Sequence, residues 1–110
     1  MTDKRDSIRT PIDSEVMVID RDNGKHIGNL LNISAGGLML VSSNPIDLNK
    51  LYQLEIQLNS AVNGLSTLQL GADSLWSNPS SDGEHFWTGF QIIDISADNQ
   101  QVVNQLSGDD

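Results

Sequence analysis

The sequence contains no cysteine among its 110 residues, and only 5% of the residues are aromatic. Without cysteine, the protein has no disulfide scaffold, no thiol catalysis and no cysteine-ligated metal. No stretch approaches the ~18 consecutive apolar residues of a membrane-spanning helix, and no N-terminal apolar run resembles a signal peptide. From these absences we expect a soluble cytoplasmic protein, and the length of 110 residues predicts one domain.

Basic residues are also scarce, since six Lys and Arg stand against fifteen Asp and Glu, for a formal net charge of -9. No Lys or Arg follows Lys50. A field of this sign repels nucleic-acid polymers and anionic membranes, so we predict no binding to DNA, RNA or membranes. An anionic ligand must therefore be small and be held by a local basic cluster.

One such cluster is present, because half of the basic residues lie in the first nine positions, as Lys4, Arg5 and Arg9. Arg5 and Arg9 form an R-x-x-x-R pair. Guanidinium is a planar fork suited to phosphate and to the O6/N7 edge of guanine. The surrounding segment is polar, so we predict that residues 1–12 form a flexible N-terminal arm. Taken alone, this spacing is also compatible with a solvated arm that binds no ligand.

The remaining residues, 13–110, alternate short apolar runs with turn signals, which is typical of a small antiparallel β-barrel. We predict six strands, over residues 16–19, 26–33, 38–41, 51–58, 65–76 and 86–95. The predicted turns lie at Asn23-Gly24, at 59–64 and at 78–83. A short C-terminal α-helix is predicted over about 98–107, with Asp98 as its N-cap. The fold class is therefore all-β, a six-stranded antiparallel barrel with one short helix.

A second motif, Asn32-Ile33-Ser34-Ala35-Gly36-Gly37, follows the second predicted strand. A plain turn is one interpretation, since Asn, Ser and Gly are turn-forming residues. The other is a binding site, because paired glycines let a ligand approach the backbone closely. The Asn32 carbonyl and the Ser34 hydroxyl can then form hydrogen bonds with a base edge.

The two motifs, in this order and at this separation, resemble those of the PilZ domain, the bacterial receptor module for cyclic di-GMP. Thr88-Gly89-Phe90 is similar to part of that family's last strand, so the resemblance covers most of the chain. It implies a six-stranded barrel whose N-terminal arm folds over a ligand lying near the second motif. The ligand-binding residues that it implies are Lys4, Arg5, Arg9, Asn32, Ser34, Gly36, Gly37 and Trp76.

In the family, Asp is more common at the position of Asn32. A neutral amide accepts a weaker hydrogen bond from guanine N1–H and N2–H than a carboxylate does, so the affinity is expected to be lower. Trp76 lies near the end of a strand that in the family passes close to the ligand, where an indole can stack on guanine. Core packing is the alternative for Trp76. Trp87 is predicted to pack in the core or at the barrel lid.

No catalytic constellation is evident, and His26 and His85 lack the spacing of metal ligands, so both are predicted to lie on the surface. We therefore expect neither an enzyme nor a cofactor. The leading hypothesis is a cyclic di-GMP receptor that orders its arm on binding and signals to a partner protein. The alternative is a PilZ-like interaction module that does not bind the dinucleotide. A barrel that binds single-stranded nucleic acid is disfavoured, because residues 51–110 contain no Lys or Arg.

Overall fold

The structure, a computed structural model, describes residues 10–11 and 16–107. These residues form seven β-strands followed by one α-helix. In chain order they are β1 (Thr10–Pro11), β2 (Met17–Asp20), β3 (Lys25–Ser34), β4 (Gly37–Ser42), β5 (Leu51–Val62), β6 (Leu65–Pro79), β7 (Phe86–Ile95) and α1 (Ala97–Ser107).

Six of these strands close into the predicted antiparallel barrel. The order around the ring is β3, β2, β5, β6, β7 and β4, and β4 pairs with β3 to complete it. Closure pairs each of the six strands on both sides, which removes the exposed edges of an open sheet. The two-residue strand β1 lies outside the ring beside β3, where Thr10 is opposite Ile33 and Pro11 is opposite Asn32.

The barrel interior is filled by apolar side chains that alternate along each strand. In β5, Tyr52, Leu54 and Ile56 are buried, while Gln53 and Glu55 are half-exposed, as the period of two predicts. Helix α1 packs against β3 and β6. Its residues Val102 and Val103 are fully buried in the same core. In the described ranges, no helix is long and apolar enough to cross a membrane.

The helix begins one residue earlier than predicted, and its cap is a different residue. The backbone N–H of Asn99 donates to Ser96 Oγ at 3.2 Å, which makes Ser96 the N-cap. Asp98, the predicted cap, lies in the first turn instead. Its negative charge is favourable there because it faces the positive end of the helix dipole.

Two turns are shorter than the sequence indicated. Strands β5 and β6 continue to Val62 and from Leu65, so the predicted turn over 59–64 is reduced to Asn63 and Gly64. Both turn residues have positive φ, 52° and 79°, as the two-residue hairpin turn with an Asn-Gly sequence requires. Strand β6 also continues to Pro79, because a strand end tolerates a residue that lacks a backbone donor.

Candidate ligand-binding face

Three predicted site residues of the second motif, Asn32, Ser34 and Gly37, lie on the outside of the barrel, on the sheet formed by β3, β4, β7 and β6. The fourth, Gly36, lies in the turn between β3 and β4. Side chains of directly opposed residues point to the same side of a sheet. Ile33 and Leu38 are opposed and buried in the core, so their neighbours along the strands point outwards. We call this surface the outer face; its residues are Asn29, Asn32, Ser34, Gly37, Met39, Val41, Asp73, Trp76, Asn78, Trp87, Gly89 and Gln91.

One row of the outer face connects two predicted site residues. Asn32 is opposite Met39, Met39 is opposite Gly89, and Gly89 is opposite Trp76. Adjacent strands are about 4.8 Å apart, so the row from Asn32 to Trp76 spans roughly 14 Å. Residues 44 positions apart in sequence are thereby joined in one surface, of a length suited to a small ligand.

Asn32 carries an unsatisfied acceptor. Its Oδ1 atom is buried and has no hydrogen-bond partner among the residues that the structure describes. A buried polar atom without a partner costs about 1–3 kcal/mol, so native proteins seldom retain one without a reason. Leu31 is an extra residue between the Leu30 and Asn32 pairings, and a bulge of this kind re-aims the side chains beside it.

The other residues of the second motif differ in their surroundings. Ser34 is buried, and its hydroxyl donates to the carbonyl oxygen of Gly37 at 3.3 Å. A Cβ atom at Gly37 would lie 2.7 Å from the carbonyl oxygen of Phe90, whereas no atom of the described ranges lies within 4 Å of one at Gly36. The close approach of β4 to β7 therefore accounts for Gly37. The open space beside Gly36 stays available to a ligand.

Both tryptophans lie on the outer face. Trp76 is 37% exposed and Trp87 is 38% exposed, so neither packs in the core. Core packing, one of the two placements predicted for Trp87, was wrong, because Thr88 and Phe90 are buried and alternation turns Trp87 outwards. The indole of Trp76 lies over Gly89, where a Cβ atom would overlap the ring.

The outer face lacks positive charge. Of the bases in the described residues, Lys25 and Lys50 line one depression with Asp20 and Asp47, and Arg21 lies in another. None of these bases belongs to the outer face. The predicted binding residues Lys4, Arg5 and Arg9 lie outside the residues that the structure describes.

His26 and His85 are both exposed, as predicted. They line one surface depression of about 540 Å³. Of the predicted site residues that the structure describes, none lines it. Within residues 10–11 and 16–107, no group of three or more His, Asp or Glu side chains is arranged to hold a metal ion.

Of the outer-face residues that the sequence did not indicate, Met39, Gly89 and Gln91 lie beside the predicted site residues. Met39 and Gly89 lie between Asn32 and Trp76, and Gln91 is opposite Gly37. Alternation from the buried Phe90 would have turned Gly89 and Gln91 outwards. Their positions beside the motif depend on strand pairings, which local sequence does not specify.

Several solved structures share this fold at low sequence identity. The Bacillus subtilis inhibitor of motility MotI/DgrA aligns over 96% of this chain and 50% of its own, with 20% identity and a TM-score of 0.71. The PilZ domain of Escherichia coli YcgR with c-di-GMP aligns over 92% and 88%, with 12% identity and a TM-score of 0.62. The K. pneumonia MrkH–c-di-GMP complex aligns over 98% and 52%, with 14% identity and a TM-score of 0.69.

The chain thus spans about half the length of MotI and MrkH. A comparison with curated proteins gives no significant match. A comparison with protein families matches the PilZ domain over residues 3–108, which includes both sequence motifs and the whole barrel. The chain therefore belongs to the PilZ domain family.

Proposed function

We propose that this protein is a receptor for cyclic di-GMP, which it holds between the outer face and the N-terminal arm. The observation that carries the proposal is the buried, unpaired Oδ1 atom of Asn32, in one row with the exposed indole of Trp76. The similar structures of the YcgR PilZ domain and of MrkH are complexes with c-di-GMP, which supports the choice of ligand.

Asn32 supplies the contact that selects guanine. Its Oδ1 atom lacks a donor, and the Watson–Crick edge of guanine offers two adjacent donors, N1–H and N2–H. Binding would satisfy an acceptor that is costly to leave unpaired in the free protein. The Ser34 hydroxyl donates to Gly37 and keeps its acceptor capacity for the ligand, and Gly36 leaves open space for the guanine.

The N-terminal arm supplies the charge that the outer face lacks. The ligand carries two phosphates, and no Lys or Arg of the described residues lies on the outer face. Lys4, Arg5 and Arg9 are the remaining bases of the chain. Thr10, the residue after Arg9, pairs with Ile33, so the arm joins the barrel beside Asn32 and Ser34. Arg5 and Arg9 would contact phosphate and the guanine O6/N7 edge, with Lys4 adding charge.

Binding would order the arm and so create a new surface for a partner protein. A polar segment gains little by packing alone, and ligand contacts compensate for the entropy lost when it is ordered. The partner is an effector protein, and the acidic barrel disfavours DNA and RNA in that role. We expect the protein to act without catalysis, and we expect the complex to act in the cytoplasm.

Isothermal titration calorimetry with cyclic di-GMP tests the proposal. The wild type should bind, and Arg5→Ala and Arg9→Ala should each abolish binding. Lys25→Ala is the matched control, because it removes one positive charge from a base away from the outer face. Affinity should also fall as salt is raised, since phosphate contacts release counterions.

A wild type that gives neither heat nor amide-shift changes with cyclic di-GMP would contradict the proposal. It would favour a PilZ-like interaction module that binds proteins without the dinucleotide. Loss of binding in Lys25→Ala as large as in Arg5→Ala would contradict the role of the arm, because it would indicate a general charge effect.

A further inference from the structure

Gly89 lies in the middle of the outer face, opposite Trp76 in β6 and Met39 in β4. A Cβ atom built on Gly89 would lie 2.7 Å from Cζ2 of Trp76, and nearer still to Nε1 and Cε2. Real Cβ atoms essentially never come this close to another atom. The Trp76 indole therefore occupies the space that any side chain at position 89 would need.

The contact also fixes how the ring lies. Nε1, Cε2 and Cζ2 are consecutive atoms of the indole and lie at similar distances from that point, as expected when a ring covers a glycine with its face. One ring face then lies against the strand, and the opposite face is directed away from it. The 37% exposure of Trp76 fits this arrangement.

We propose that Gly89 is a positioning residue, which lets the Trp76 indole lie flat on the sheet so that its free face stacks on a purine base of the ligand. This inference rests on the proposed function. A ring already held in its binding orientation loses little freedom when the ligand arrives, and such preorganisation increases affinity. Cross-strand contact between an aromatic ring and a glycine also stabilises the strand at that point.

Alanine at position 89 should affect ligand binding only by moving the Trp76 indole. The glycines with positive φ in the described residues are Gly24, Gly64 and Gly83, so the backbone at Gly89 accommodates alanine. The added methyl group would displace the Trp76 ring from the sheet. The other described glycines with close neighbours, such as Gly37 and Gly71, face backbone or non-aromatic side chains.

The position of the ring can be tested by NMR without a ligand. An indole face above Gly89 should move the Gly89 α-proton resonances upfield, and Trp76→Ala should return them to ordinary values. Gly71→Ala is the matched control, since a Cβ atom there comes within 3.3 Å of only the flexible end of Gln53. That variant should leave the Gly89 shifts unchanged.

The role in binding is tested with a double-mutant cycle, in which the affinity for cyclic di-GMP is measured by calorimetry. Trp76→Ala should weaken binding by about 5- to 150-fold. Gly89→Ala should weaken binding in the wild-type background but add little in the Trp76→Ala background, because the two residues act as one unit. Gly71→Ala should bind as the wild type does.

The inference is overturned if Gly89→Ala binds as tightly as the wild type, or if it weakens binding equally with and without Trp76. Ordinary Gly89 α-proton shifts in a wild type that binds would overturn the positioning role alone. Upfield shifts in a wild type that does not bind cyclic di-GMP would overturn the stacking role together with the proposed function.

Discussion

Gly37 of β4 lies so near β7 that a Cβ atom at position 37 would come within 2.7 Å of the carbonyl oxygen of Phe90. The preceding residue, Gly36, is exposed, and a Cβ atom built on it would have no described atom within 4 Å. The presence of glycine at these two adjacent positions thus has a different physical reason at each. One permits the strands to approach, and the other leaves space above the barrel surface.

This difference predicts opposite outcomes for two alanine variants. Gly37→Ala should lower the free energy of unfolding by about 1–3 kcal/mol, because the Phe90 backbone must move to admit a methyl group. Gly36→Ala, the matched control, should stay within about 0.5 kcal/mol of the wild type. Chemical denaturation of both variants measures this, and equal destabilisation would contradict the distinction.

Replacement of Asn32 by aspartate should tighten the binding of cyclic di-GMP. A carboxylate forms stronger hydrogen bonds with guanine N1–H and N2–H than an amide does. The gain is expected to be about fivefold in affinity, or about 1 kcal/mol. Asn32→Ala should weaken binding. Asn78→Asp adds the same charge elsewhere on the outer face and should not tighten binding.

Without the ligand, Asn32→Asp should be less stable than the wild type, since a buried charge without a partner is more costly than a neutral amide. Thermal denaturation with and without cyclic di-GMP separates the two effects. A variant that loses no stability when free, and gains no affinity, would contradict the burial of an unpaired acceptor at this position.

Trp76 and Trp87 are the two tryptophans of the chain, so single replacements isolate each indole. In Trp87→Phe, the fluorescence comes from Trp76 alone and should be strongly quenched when cyclic di-GMP stacks on it. In Trp76→Phe, the remaining Trp87 should change less, because it lies opposite Val41 and Asn78 rather than in the row that contains Asn32. The reverse pattern would place the ligand over Trp87.

The raised pKa of Tyr52 predicts that the protein loses stability in alkali. Burial, and then the negative charge of Asp47, raise the pKa of Tyr52 above its ordinary value of 10.0. The folded protein keeps this tyrosine neutral where the unfolded chain has begun to ionise it. The resulting stability is therefore complete below pH 10.0 and is lost as the pH rises through the pKa of the folded state.

Tyr52 is the one tyrosine in the sequence, so phenolate absorbance reports its titration directly and should give a pKa above 10.0. Tyr52→Phe is the control for the stability measurement, because phenylalanine does not ionise. The difference in unfolding free energy between the two proteins should change above pH 10.0. A constant difference across that range would contradict the shift.

Much of the fold could be predicted from local sequence. Alternation of apolar and polar residues located the six barrel strands, because a half-buried strand must turn every second side chain to the core. The C-terminal helix and the Asn23-Gly24 turn were also predicted. Strand β1 was not predicted. The other errors lay at the ends of elements, such as the Ser96 cap and the short turn at Asn63, where single hydrogen bonds and φ angles decide.

The site could be predicted only in part, since its motifs are local but its surface is not. Asn32 and Ser34 could be predicted from the sequence as candidate binding residues, whereas Met39, Gly89 and Gln91 lie beside them only through strand pairing. Trp76 is the clearest case. Ser74 is buried, so alternation alone would turn Trp76 into the core.

The bulge at Leu75 reverses that direction. It inserts one residue between the pairings of Ser74 with Phe90 and of Trp76 with Gly89, which places the indole on the outer face. Local sequence specifies which residue types are available: a basic arm, an Asn-x-Ser motif and two tryptophans on an acidic barrel. That Asn32 and Trp76 share one surface follows only from the folded arrangement, because register between strands is set by contacts distant in sequence.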